Sequence, residues 1–187
     1  MIPANVTIHC RDFAFQNRNL STFQIRNRFN SFRNQNRGSV FLATDASKSL
    51  FRVTVAAINI NNNQRISGEL DYYYSINSAE AVAIILALQN YVVANVNYVL
   101  LTDSMTILRG LKRNSSLSVI RRLNEVINHV SSLSVSLKLV WVPSHKGIPE
   151  NCLADKLAKY ARARTIVHWI PLEDIQREEE KYDLESI

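Results

Sequence analysis

The sequence predicts an α/β fold, a mixed five-stranded sheet flanked by helices, and three observations carry that expectation. Short β-branched runs alternate with longer helical patterns in the order βββαβααβα. The first three strands follow one another through tight turns, whereas the later ones are separated by helical crossovers, so the sheet begins antiparallel and continues parallel. Finally, 47% of the 187 residues are hydrophobic and 20% are charged, which supplies a core and excludes wholesale disorder or a fibrous repeat.

Residues 1–38 are rich in Asn, Gln, Arg and Phe, and their phenylalanines follow no evident period. They read as a basic arm, with six arginines against Asp12 for a net charge of +5. Interleaved Phe and Arg suit either stacking on bases with neutralised phosphates or docking of the rings on the body of the protein, and docking is favoured because isolated aromatic side chains usually bury. Val40 to Asp45 is a short buried strand ending in a carboxylate, and Phe51 to Ile60 is a second strand. After the turn Asn61-Asn62-Asn63, a third strand runs from Arg65 to Ser75, with Tyr72-Tyr73-Tyr74 on its pleated surface. A helix apolar on nearly every side starts at Ser78-Ala79-Glu80 and reaches about Ala94. The strand Asn97 to Thr102 again ends in an acid, Asp103. Met105 to Leu111 and Ser116 to Ser132 are helical, Val135 to Val142 is the fifth strand, Pro143 to Asn151 is a loop, and Leu153 to about Arg164 is the closing helix. This places the main folded domain at 39–165, followed by an acidic extension at 166–187, whose residues 173–187 carry a net −5.

The longest apolar run, Ala81 to Leu88, is far short of the roughly 20 residues that span a bilayer, so no membrane-crossing helix is expected. The N-terminus lacks the apolar stretch of a secretory signal, which points to an intracellular setting, cytoplasmic or nuclear. Cys10 and Cys152 form no disulfide framework or metal motif and read as inert thiols. The net charge of +6 makes a polyanionic partner plausible without deciding the matter.

Four acids, Asp45, Glu80, Asp103 and Asp155, sit at element ends. Taken singly, each has an ordinary explanation: a turn, a first helical turn, an N-cap, and an i,i+4 partner for Lys159. Taken together, the topology brings them to one crevice, where like charges are untenable without a cation. All-oxygen ligands suit Mg²⁺, with Mn²⁺ as a substitute, and two such ions form the clamp used for attack at phosphate. His145, in a loop shaped by Gly147 and prolines, stands near the fourth acid and is suited to proton transfer or product release. A solvent-exposed spectator is the alternative for it. His9, His129 and His168 have no comparable setting.

The succession Thr44-Asp45-Ala46-Ser47, Ala79-Glu80, Leu101-Thr102-Asp103-Ser104, Val140 to Pro149 with its Ser144-His145-Lys146-Gly147 core, and Ala154-Asp155-Lys156-Leu157-Ala158 resembles ribonuclease H of type 1, most closely the ribonuclease H domains of retroelement polyproteins. The likeness runs from about Ser39 to Arg164. It implies a Mg²⁺-dependent endonuclease that cuts the RNA strand of an RNA/DNA hybrid and leaves 5′-phosphate ends. In that reading Asp45 bridges two ions, Glu80 and Asp103 complete one site, Asp155 completes the other, and His145 assists turnover. Ser47, Asn77, Ser104 and Asn151 become candidates for substrate contacts. A reverse transcriptase domain of a parent polyprotein is an implied partner. The sequence departs from the family pattern in Ala46, where glycine is usual, in Ile76, where an asparagine is common with Asn77 one place on, and in lacking the basic helix-loop that grips DNA. Hybrid affinity is then expected from the arginine arm, Arg121 and Arg122, or a neighbouring polypeptide. A non-catalytic nucleic-acid or partner-binding module on the same fold is the alternative.

Overall fold

The computed structural model describes residues 1–164, 167 and 169–185. Strand β1 (Val6–His9) and helix α1 (Thr22–Gln35) come first, then the strands β2 (Val40–Lys48), β3 (Val53–Asn59) and β4 (Gln64–Leu70). Helix α2 (Ile76–Tyr91), strand β5 (Tyr98–Thr102), helices α3 (Met105–Lys112) and α4 (Ser118–Ser131), strand β6 (Leu137–Trp141), and helices α5 (Pro149–Lys159) and α6 (Leu172–Glu185) complete the order. One mixed sheet has the spatial order β1-β6-β5-β2-β3-β4. The β2, β3 and β4 strands are antiparallel, whereas β5 pairs parallel with β2, β6 with β5, and β1 with β6.

Two apolar layers cover the sheet. Alternation along each strand sends Leu42, Leu100 and Leu139 to one face, against Ile84 and Leu88 of α2 and Leu123 and Ile127 of α4. Phe41, Ala43, Val99, Leu101 and Val140 point to the other, against α1 and Ala154 of α5. Between Ala81 and Leu88 helix α2 is buried on nearly every side, as that uninterrupted apolar run requires.

The sheet has six strands where five are expected. Val6–His9 supplies the sixth, pairing Val6 with Leu137 through His9 with Val140 on the outer edge of β6. Four residues are too few to display a period, so this strand exists through its partner's free hydrogen-bonding edge rather than through its own pattern. Helix α1 follows from chemistry local to the chain. Ser21 Oγ accepts from the Gln24 amide while the Gln24 side chain accepts from the Ser21 amide, and Ile25, Phe29 and Phe32 then share the buried face. Phe15 is also fully buried and meets Phe29 edge-to-face at 5.2 Å. These rings therefore dock, whereas Phe23 is exposed, and three of the six arginines beside them are engaged internally. Arg26 donates to the Gly147 carbonyl, Arg28 to that of Ala14, and Arg33 pairs with the buried Glu150.

Three boundaries differ from those expected. Strand β4 ends at Leu70 because Asp71 turns the chain, its carboxylate accepting from the Tyr73 amide and its carbonyl from that of Tyr74. Strand β2 continues past Asp45 to Lys48, held on its β3 side alone. Helix α5 starts at Pro149, four residues ahead of Leu153, because proline suits a first helical position. The acidic extension is helical in α6, and its first turn caps two other helices. Glu173 accepts from Ser118 Oγ and from the amides of Ser118 and Val119 at the start of α4, and Asp174 accepts from the Ser75 amide at the start of α2. Burial raises the Glu173 pKa, but these hydrogen bonds outweigh it and hold the carboxyl below its ordinary value. The boundary residues Thr165 and Ile166, and His168, lie outside the described residues.

Candidate active site

Strands β2 and β5 run side by side only as far as Ala43 and Leu101. Beyond that point β2 continues along β3 while β5 ends at Thr102, leaving an opening beside Asp45 into which Asp103 follows directly. Ser75 caps α2 by accepting from the Ser78 amide, which sets Glu80 in the second turn of a helix packed on the same sheet. Carboxylate oxygens of Asp45, Glu80 and Asp103 lie within 4.8 Å of one another, with Asp45 and Glu80 buried and Asp103 half-buried. Asp155, from α5, lines the same cleft but stands apart from this triad and pairs with Lys159 Nζ at 2.9 Å.

The electrostatics follow from this crowding. Burial, followed by the charge of Asp103, pushes the Asp45 carboxyl up to about 8, against the pull of the hydrogen bond it accepts from the Ala46 amide. Glu80 is raised well above its ordinary value, by burial first and then by Asp45 and Asp103. Its Oε2 is buried without a hydrogen-bond partner. An orphaned carboxylate oxygen beside two further carboxylates is the donor set of a hard divalent cation, so the residues present fit one.

The cleft has a volume of about 470 Å³, and His145, Ser144, Ser47 and Ile76 also line it. His145 is exposed and holds a left-handed backbone, φ +54°, in the loop between β6 and α5. Gly147, at φ +73°, supports that turn, and a Cβ there would fall 2.5 Å from Thr22 Cγ2 of α1. A Gly147→Ala variant is therefore expected to lose about 1–3 kcal/mol of stability in urea unfolding, through both the backbone conformation and the collision with α1.

Of the candidate substrate contacts, only Ser47 is on the cleft wall. Asn77 is exposed and faces a separate cavity with Thr106, Glu173 and Arg177, while Ile76 takes the wall position. Ser104 is half-buried at the start of α3, its amide donating to Thr102 Oγ1, and Asn151 is 3% exposed in the first turn of α5. Arg122 pairs with Glu125, and Arg121 and Arg122 line a cleft with Trp169 and Leu172 rather than the carboxylates. Lys48 and Lys159 are cleft residues that sequence reasoning did not assign to the site. Lys159 was within reach of it, four residues after Asp155 on one helical face, whereas Lys48, three after Asp45 in a strand, carried no such signal. Glu150, 3% exposed and paired with Arg33, had no signal beyond its neighbour Pro149.

Comparison with solved structures gives the fold an external counterpart. RNase H1 from the halophilic archaeon Halobacterium salinarum matches with a TM-score of 0.52 at 18% identity, over 66% of this chain and 97% of that one. Comparison with curated protein sequences yields no match. The RNase H family profile, however, matches residues 37–163, a span that starts just ahead of β2, ends just after α5 and contains every acid of the cleft. By that match, the chain belongs to the RNase H family.

Proposed function

We propose that this protein hydrolyses the RNA strand of RNA/DNA hybrids as an endonuclease, producing 5′-phosphate ends. The observation that carries the reading is the meeting of Asp45, Glu80 and Asp103 oxygens within 4.8 Å in a chain of the RNase H family. Asp45, Glu80 and Asp103 would hold a divalent cation, and Asp155, which lines the same cleft, would join them when its pairing with Lys159 is exchanged for a second ion. Mg²⁺ is the ion that an all-oxygen site of this kind favours, with Mn²⁺ able to replace it. When bound, such ions supply Lewis-acid stabilisation of phosphate charge and an activated water.

The remaining work falls to the chain itself. Burial of Asp45 and Glu80 strengthens each electrostatic interaction with a bound charge. His145 sits exposed on the cleft rim, where its imidazole can carry a proton to or from the leaving oxygen. Ser47, on the cleft wall, would meet a sugar hydroxyl, the group that separates RNA from DNA. The sequence fragments around these residues support kinship with retroelement ribonuclease H domains, for which a reverse transcriptase domain is the natural partner. No helix among the described residues is long and apolar enough to cross a membrane.

Labelled RNA/DNA, RNA/RNA and DNA/DNA duplexes of one sequence, incubated with Mg²⁺, test the proposal. Cleavage confined to the RNA strand of the hybrid is expected, including in a circular hybrid that offers no ends. Binding without turnover would instead identify a non-catalytic module.

A further inference from the structure

A second cleft, separate from the catalytic one, opens where the 11–19 segment meets α3 and Trp141 at the end of β6. It has a volume of about 720 Å³, and its walls carry Arg11, Arg18 and Arg109, with Phe13, Asn17 and Trp141 between them. Among the described residues, no acidic side chain lines it. Among the described residues none of these three arginines pairs with a carboxylate, and Asp12, the nearest acid in sequence, is held by His9 at 2.9 Å.

The site is built rather than incidental. Gln16 is 7% exposed and uses its whole amide to fix the 11–19 segment: Nε2 donates to the carbonyls of His9 and Trp141, and Oε1 accepts from the amides of Asp12 and Phe13. Trp141 supports the Arg18 guanidinium, 5.2 Å from its ring centroid, and donates its indole N–H to the Asp103 carbonyl at 3.1 Å. The basic cleft and the acidic triad therefore share a backbone joint.

We propose that this cleft grips the phosphate backbone of the RNA/DNA hybrid alongside the segment being cut. The inference rests on the nuclease reading for the identity of the polyanion. Guanidinium groups with no internal counterion are matched by phosphodiesters, which they hold through paired N–H donors. Three of them around an extended cleft suit successive phosphates better than a single small anion. Exposed Asn17 and Asn19 add amide donors for sugar or phosphate oxygens. The link between α3 and α4 is only Arg113 to Leu117, too short for a basic protrusion, so Arg11 and Arg18 provide from outside the family-matched span the cationic grip that this link lacks.

The test compares the wild type with Arg11→Gln/Arg109→Gln, which spares the Arg18–Trp141 stack, and with the triple variant that adds Arg18→Gln. Hybrid affinity is read by fluorescence anisotropy in metal-free buffer across a salt series, and a melting curve verifies folding. Each lost phosphate contact should lower the slope of log affinity against log salt by about 1, so the double variant should lose about 2 and the triple about 3. Affinity should fall about tenfold or more at ~0.1 M salt, and Arg→Lys variants should retain most of the slope. An unchanged slope in a folded variant overturns the proposal, as does an equal loss of affinity for poly-glutamate, which would mark an acidic-protein site. The two readings fail separately: a wild type that binds hybrid through these arginines but cuts nothing sinks the nuclease and leaves the cleft, whereas cutting with an arginine-independent slope does the reverse.

Discussion

Replacing Asp103 with asparagine is expected to reduce hybrid cleavage by more than about 10³-fold while leaving the melting temperature of the metal-free protein unchanged or raised. The substitution preserves shape and removes one carboxylate from three whose oxygens lie within 4.8 Å of one another. Loss of a cation ligand removes several kcal/mol of transition-state stabilisation, and each 1.4 kcal/mol corresponds to about a tenfold change in rate. Stability should move in the opposite direction. Asp103 is the first charge, after burial, that drives Asp45 upward, and it acts on Glu80 in the same sense, so the Asp103→Asn variant relieves repulsion in the native state. Initial rates on a labelled hybrid and a thermal melt in EDTA measure the two halves. Retained cutting would remove Asp103 from the site, and a marked fall in melting temperature would make it a structural residue.

Between about pH 5 and 8, the metal-free protein is expected to lose stability as the pH rises, contrary to the behaviour of most carboxylates. Asp45 has an ordinary value of 3.8 and is raised to about 8, and Glu80 moves in the same direction. In that window the native state binds a proton that the unfolded chain has already released. Its stabilising contribution is therefore complete below the ordinary carboxylate range and is lost as the pH climbs through the raised value. A tenfold difference in proton affinity between the folded and unfolded chain corresponds to about 1.4 kcal/mol, so the loss across the window amounts to several kcal/mol. Glu173 and Glu178 are lowered and act at more acidic pH, outside this window. Cation binding requires the ionised forms, so saturating Mg²⁺ should stabilise most at high pH and flatten the profile. Melting temperatures in EDTA and in Mg²⁺ across the same pH range would reveal this, and a metal-free curve that rises over that range would contradict it.

The parts of the structure that sequence predicts best are those whose signal lies in one short run. Val40 to Asp45 and Asn97 to Asp103 each read as an apolar strand leading to an acid, and β2 and β5 lie side by side. That adjacency is a matter of topology, so the meeting of Asp45 with Asp103 was legible once the crossover was recognised. Asp155 was harder to place: the i,i+4 pairing with Lys159 and a position on the cleft both apply, and only the fold shows that it stands outside the triad. Helix α1 was obscured by counting every phenylalanine together. Ile25, Phe29 and Phe32 are spaced for one helical face, but Phe13 and Phe15 belong to the preceding turn and Phe23 is 73% exposed. The Ser21 and Gln24 pair was the available signal for its start. The reach of Glu173 and Asp174 to helix starts far away in the chain had no local trace at all.

Strand β1 lies on the sheet's rim and, among the described strands, pairs with β6 alone, a partner synthesised far later. A growing chain thus carries this strand without its partner until nearly the whole sheet has been made. Long separations of this kind slow folding, because ring closure must be complete before any bond rewards it. Rim attachment is therefore expected to be the last event in assembly and the first to reverse, with the amides of Val6 to His9 exchanging hydrogen sooner than those of β2 or β5.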